Sequence, residues 1–283
     1  MLFNIGTVGF SQLENTESRY QVINDVINNS TNKSSIETND EKKFVENKKQ
    51  YGKDIGVIVR GFQADNKLTV TGIVPYADSV KKMPISDISV EKVNLEFVKE
   101  KQVVEDEYHV TFVNQDTDME MTFYLQNVVD YLKNKNKKNG YYDSVTVSAL
   151  AYGGKVVLPL CDDDEFEEEY GLYSGYEEDE EFDEDEEETN ADNIITEGNI
   201  LEDMEEFFVQ SEKLDTVYHV LGKIKSVKEL TNTTTKEKIY KLVVNTYRMN
   251  LDVYINKKDL LGMPSAGMRF MGTCWLQGNV MFK

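Results

Sequence analysis

Apolar positions recur at two different spacings along this chain, and the changes of spacing mark out its elements. Between Glu17 and Asn28, Tyr20, Ile23, Val26 and Ile27 recur every three or four residues, which predicts a helix with one buried stripe. Ser11 with Glu14 has capping-box spacing and Thr16 is an equally good N-cap. Asn28 to Asp40, rich in Asn, Ser and Thr, reads as a loop. Strand-like runs follow. Ile55 to Val59 and Leu68 to Val74 predict a hairpin about the Gly-Phe-Gln-Ala-Asp-Asn stretch between them. Tyr108 to Val113 and Met119 to Phe123 predict a second pair turned at Asn114 to Asp118, so the sheet is antiparallel. Helical spacing returns from Tyr124 to Asn136, where Leu125, Val128, Val129 and Leu132 share a face, and Val145 to Leu160 reads as a hairpin turned at Gly153 and Gly154.

Beyond residue 198, Asn199 and Glu202 predict a capped short helix with an apolar face of Leu201, Met204, Phe207 and Phe208. Five β-segments come next: Tyr218 to Val227, Lys238 to Tyr247, Leu251 to Ile255, Met268 to Gly272 and Thr273 to Phe282, the last two readable as one strand bent at Gly272. The expected fold class is therefore α+β, an N-terminal antiparallel sheet with helices on one face, followed by a small C-terminal β-barrel. An OB-like barrel is the first choice and an SH3-like barrel the alternative.

Charge divides the chain further. Asp162 to Glu206 carries 24 acidic residues and no Lys or Arg, whereas Ser211 to Lys283 carries 12 basic residues against 6 acidic. The overall net charge of −21 thus hides an anionic stretch beside a basic one, and an argument about partners from total charge would mislead. Between Asp162 and Glu188, 18 of 27 residues are acidic, and compaction would crowd like charges within a Debye length of about 8 Å. The expected division is a domain over 1–161, a disordered acidic linker over 162–198, and a short helix plus barrel over 199–283. Cys161 and Cys274 lack any zinc-ligand or CxxC spacing, no apolar run reaches membrane-spanning length, and Met1 to Ser11 lacks a secretory pattern; the expected setting is cytoplasmic, with no membrane contact.

Catalytic signals are thin. His109 and His219 each stand in a Tyr-His-Val strand context with no nucleophile or paired carboxylate at motif spacing, and read as half-buried strand histidines. Gly154-Lys155 is followed by Val156, which breaks a phosphate-binding loop, and no EF-hand spacing occurs in the acidic run. Hence no catalytic residue, metal or cofactor is assigned. The candidate ligand-binding residues are Lys241, Arg248, Tyr254, Lys257, Arg269 and Trp275, a mixture of cations and rings suited to stacking bases and neutralising phosphates. Trp275 shares a strand face with Met271, Thr273 and Gln277; core packing is the competing assignment for it, as loop positioning is for Arg269.

Several segments together resemble a known family: Gly9-Phe10-Ser11; Phe123-Tyr124-Leu125-Gln126-Asn127 with Asp130-Tyr131; Lys155 with Leu158-Pro159; Ile255 to Gly262 with Pro264, Gly267 and Arg269-Phe270; and Trp275-Leu276-Gln277-Gly278. They are similar to the domain-of-unknown-function family numbered thirty-eight eighty-one, of clostridia-like Gram-positive bacteria. The resemblance implies a bacterial cytoplasmic protein and no established activity, substrate or cofactor, so it assigns no site residue. The expected function is a non-enzymatic binding or adaptor role, in which the basic C-terminal part contacts a protein or a single-stranded nucleic acid and the acidic linker competes for it within the chain. The alternative is an enzyme with its site where the two lobes meet; a pocket with converging ionisable groups would favour it.

Overall fold

The computed structural model describes residues 4–12, 16–38, 42–65, 67–93, 107–136, 142–159 and 204–283. Helix α1 (Thr16–Asn28) leads into β1 (Asn32–Glu37), β2 (Lys43–Gly52), β3 (Ile55–Ala64) and β4 (Lys67–Ala77), which form a four-stranded antiparallel sheet in that order. Helix α1 and a 3-10 turn at Ile5–Val8 pack on it. The helix buries Val22 and Val26, with Ile23 and Ile27 half-buried, while Tyr20 is 60% exposed, so the apolar stripe is narrower than its spacing predicts.

The second sheet has β5 (Lys82–Val93), β6 (Glu107–Asn114), β7 (Glu120–Leu125) and, after helix α2 (Val128–Asn134), β8 (Tyr142–Val157). Its later strands are β9 (Phe207–Gln210), β10 (Val217–Thr231), β11 (Lys238–Thr246), β12 (Met249–Asn256), the short β13 (Leu260–Leu261) and β14 (Arg269–Phe282). β8 and β14 pair antiparallel from Tyr142 opposite Phe282 to Val157 opposite Arg269, making a long two-stranded ribbon. Each end of the ribbon is closed into a ring of five strands. At one end β5 pairs β8, β5 to β7 form a meander, and β7 runs parallel to β14. At the other, β10 pairs β14, β10 to β12 form a meander, and β12 runs parallel to β8. Closure removes the unpaired edges that such meanders would otherwise present.

The ribbon strands are buried on both faces. Val145, Val147, Ala149 and Ala151 of β8, with Phe270, Cys274 and Leu276 of β14, face the ring interiors. Leu150 and Trp275 point the other way, into a second core beneath the first sheet with Val57, Val59, Tyr124 and Tyr254. Burial pushes the Cys274 thiol up, and this residue is a free cysteine. Cys161 lies outside the described residues.

Polar staples join the first sheet to the rings. The fully buried Arg60 of β3 donates to Glu46 (2.8 Å), to the Tyr124 hydroxyl, and to the carbonyls of Leu125 and Gln126; Glu46 in turn accepts from the Val129 amide at the start of α2 (2.8 Å). On the other ring, buried Asp252 accepts from Ser79 (3.0 Å) and pairs with Lys81 (2.7 Å) and Lys241 (3.2 Å). Burial would raise the Asp252 carboxyl, but these partners outweigh it and hold it below the usual range.

The α+β expectation is overturned. The described residues are dominated by strands, only two α-helices occur among them, and the C-terminal meander does not close a barrel of its own: its ring takes β8 from residues 142–157. Strands from 1–161 and from 199–283 therefore share one sheet. Gly153 and Gly154 are not a turn but lie inside β8. A Cβ on Gly154 would come within 2.6 Å of the Phe270 ring and 2.9 Å of the Met271 carbonyl, so glycine serves close strand packing there. The second helix is shorter than its periodicity because Tyr124 and Leu125 belong to β7 and Asn127 sits at the helix start. The loop expected over Asn28 to Asp40 contains the edge strand β1. Phe207 and Phe208, expected in a helix, form β9, which adds to β10 with Phe207 opposite Leu221; Asn199 to Asp203 and the acidic stretch 162–198 lie outside the described residues.

His109 of β6 is 6% exposed, with Nδ1 2.9 Å from Asp215 and Nε2 3.3 Å from Glu107, a residue only 1% exposed. Burial disfavours the imidazolium, yet hydrogen bonds and charge from Asp215 and Glu107 prevail and raise the pKa to about 9 from an ordinary 6.5. The folded-state value lies above the unfolded one. The stabilisation is therefore complete below pH 6.5 and is lost as the pH rises through about 9. Urea midpoints are expected to fall across that window, and His109→Gln to flatten the fall; equal slopes in the two proteins would show that His109 is not the group responsible.

Candidate functional site

The six residues chosen for ligand binding do not form one face. Lys241 of β11 and Tyr254 of β12 are cross-strand partners, but Lys241 pairs with Asp54 and Asp252, each at 3.2 Å, and Tyr254 is fully buried, its hydroxyl donating to the Asp78 carbonyl (2.7 Å). Trp275 is 1% exposed and packs on Tyr124 with ring centroids 5.1 Å apart. Arg248 is exposed in the β11–β12 turn with a positive φ of 62°, and Lys257 is exposed beside Glu229 (3.5 Å). Arg269 is 6% exposed and donates to the carbonyls of Leu158 (2.8 Å) and Met204 (2.7 Å), so one guanidinium holds the last residues before the acidic stretch and the first described ones after it.

Two clefts open on the ribbon instead. The first, of about 400 Å³, lies over the stretch of ribbon where β10 pairs β14 and β13 pairs β8. Its walls are Tyr152, Phe207, Leu261 and Met271, and its polar rim is Lys155, His219, Asp259 and Thr273. The strand order explains this composition. His219, Thr273 and Gly153 stand in one row across β10, β14 and β8, and Leu221, Met271 and Lys155 in the next but one, so alternate residues of three strands face the same space. An extra residue on β8, Tyr152, interrupts the pairing between Ala151 and Gly153. Gly153 forms the floor: a Cβ there would meet only the Asp259 carbonyl at 3.9 Å.

Asp259 arrives on the 3-10 turn Lys257–Asp259, whose start is capped by Asn256 accepting from the Lys258 amide. Burial pushes its carboxyl up. His219 Nδ1 lies 3.1 Å from Thr273 Oγ1, and among the described residues no carboxylate orients its ring, so the imidazole lacks the third member of a catalytic relay. The rim thus brings Lys155, His219, Asp259 and the Thr273 hydroxyl together around an apolar bed.

The second cleft, of about 510 Å³, lies between the first sheet and the other ring and is polar, with Asn32, Lys82, Gln126, Asn127, Asp130 and Asn279 among its lining residues. Among the described residues no group of three His, Cys, Asp or Glu side chains is arranged to hold a metal ion. No helix of the described residues is long and apolar enough to cross a membrane.

Fold and clefts together define a β-protein of two strand rings built on a shared ribbon, with a cavity beside each ring. The matching family model is described as a domain of unknown function, E. rectale gene description (DUF3881), and covers residues 5–172 and 175–278. The chain belongs to that family. No curated protein and no solved structure matches it.

Sequence reasoning passed over the apolar cleft because its residues are scattered. The signal within reach was the glycine cluster Gly153, Gly154 and Gly272 beside His219 and Asp259, which reads as a turn until the ribbon register is known.

Proposed function

We propose that this protein is a non-enzymatic cytoplasmic binding protein whose ligand is a small amphipathic anion seated in the apolar cleft. The observation that carries the reading is the vacant floor at Gly153 between the apolar walls Tyr152, Phe207, Leu261 and Met271, with Lys155 and His219 at the rim. An apolar body gains by leaving water, and a few placed polar groups fix the orientation of its head. A single-stranded nucleic acid has less support, since Tyr254 and Trp275 are closed off in the core.

Anilinonaphthalene sulfonate, an apolar ring system with one anionic group, is the test ligand. Its fluorescence is expected to rise saturably at one site. Gly153→Leu, which fills the cleft from a position with room for a side chain, is expected to weaken that binding by at least about tenfold with the urea midpoint nearly unchanged. Undiminished binding by this variant would exclude the cleft. Saturable binding of an oligothymidine to both proteins would support the basic residues instead.

A further inference from the structure

The two clefts occupy equivalent places in a repeated architecture. Exchanging β5-β6-β7-α2-β8 with β10-β11-β12-(Lys257–Asp259 turn)-β14 leaves the pattern of strand pairing unchanged. The first strand of each set pairs antiparallel with its own long strand, the third runs parallel to the other set's long strand, and the two long strands pair with each other. One offset between the two long strands, which places Thr146 on Thr273, sets which residues correspond. Lys82, Thr146 and Asn279 form one cross-strand row, and His219, Thr273 and Gly153 form its counterpart. Independently, Tyr124 stands opposite Gln277 and Tyr254 opposite Leu150, the positions that the same exchange makes equivalent. Sequence agrees once the register is known. Tyr124-Leu125, Asn127, Asp130 and Leu132 run beside Tyr254-Ile255, Asn256, Asp259 and Leu261 with one residue inserted, and Asn127 and Asn256 both stand at the start of the turn or helix that follows.

Four of these corresponding positions that line the apolar cleft have mates in the polar one: Gly153 with Asn279, Thr273 with Thr146, His219 with Lys82, and Asp259 with Asp130, while Leu261 lines the apolar cleft and its mate Leu132 does not line the other. We propose that the chain is an internal duplication and that the polar cleft is a second ligand site, selecting a neutral, hydroxyl-rich molecule of the saccharide class.

The chemistry of the lining carries the ligand class. Where the apolar cleft has the bare floor of Gly153, this one has the Asn279 amide, which donates toward Gln126 and Thr146 at 3.3 and 3.4 Å. Asn32, Ser34, Ser79 and Asn127 add amides and hydroxyls, and only Ile58, Val80 and Met281 are apolar. Charge does not favour an ion: Glu46 is matched by Arg60, Lys48 by Asp78 at 2.9 Å, and Lys82 and Asp130 are of opposite sign. A ligand that both donates and accepts at several positions without net charge satisfies such a lining, and one lacking hydroxyls leaves its groups unpaired. This inference stands on the strand register and the polar lining, independent of what fills the apolar cleft.

Amide spectra of the isotopically labelled full chain, titrated separately with glucose, galactose, N-acetylglucosamine and sucrose, and with acetate and inorganic phosphate, test it. At least one sugar is expected to shift the amides of Lys82, Asn127, Thr146 and Asn279 saturably, and neither anion to do so. Asn279→Trp is expected to abolish those shifts and Gly153→Leu to leave them intact. Should Asn279→Trp lose native dispersion, Asn279→Ala, which fills nothing, is expected to weaken sugar binding by about tenfold. Silence from all four sugars, shifts caused by the anions, or sugar shifts that fall at Gly153 and Thr273 would each overturn the proposal, whether or not anilinonaphthalene sulfonate binds the other cleft.

Discussion

Glu46→Ala is expected to lower the free energy of unfolding by about 3–5 kcal/mol, the scale for removing one partner of a buried ion pair. The Arg60 side chain has no exposure, so its charge cannot return to water when Glu46 is lost. The Tyr124 hydroxyl and the two carbonyls that also accept from it are neutral and do not replace the charge of the Glu46 carboxylate. The same change strips the Val129 amide of its acceptor at the start of α2. Since a domain of this kind is stabilised by about 5–15 kcal/mol in total, one substitution removes a large share. Denaturant unfolding of the variant checks this, with the exposed Lys43–Glu37 pair, at 3.7 Å, as the comparison that contributes little. A loss no larger than that of a surface pair would mean that the first sheet is not fastened to the rings through Arg60.

The physics of legibility differs from element to element. Local hairpins were readable because alternation and turn residues lie within one short window: β3 with β4, and β6 with β7, pair as their patterns predict. Pairings between distant strands leave no such trace. The parallel contacts of β12 with β8 and β7 with β14 depend on residues more than a hundred positions apart, so the C-terminal meander looked self-sufficient. Glycines were ambiguous for the same reason. Gly153-Gly154 has the composition of a turn, and only the approach of Phe270 and the Met271 carbonyl shows why glycine is required inside a strand.

The clefts illustrate the limit on reading function. Met271, Thr273 and Trp275 share one face of β14, as alternation predicts. What covers that face changes along the strand: Met271 and Thr273 line the apolar cleft, whereas Trp275 is roofed by the first sheet. Periodicity gives the direction of a side chain and is silent on its cover. Lys241, Tyr254 and Trp275 were singled out for charge and ring chemistry that the structure directs inward. His219, read as a half-buried strand histidine, is half-buried beside Thr273 and still borders the cavity. The echo of Tyr124 to Leu132 in Tyr254 to Leu261 was in the sequence throughout, but without register it is too short to distinguish from chance.

Both cavities and both rings depend on β8 and β14 standing side by side, and those strands lie on either side of the acidic stretch, more than a hundred residues apart. Fragments 1–161 and 199–283, prepared separately and then mixed, put that dependence to the test. Apart, each lacks a ribbon strand needed to close its ring, so neither is expected to show dispersed amide resonances, a cooperative unfolding transition or saturable binding of anilinonaphthalene sulfonate. Mixed at equal concentration, they are expected to recover all three together. Cooperative folding of 199–283 alone, with no change on adding 1–161, would contradict the account.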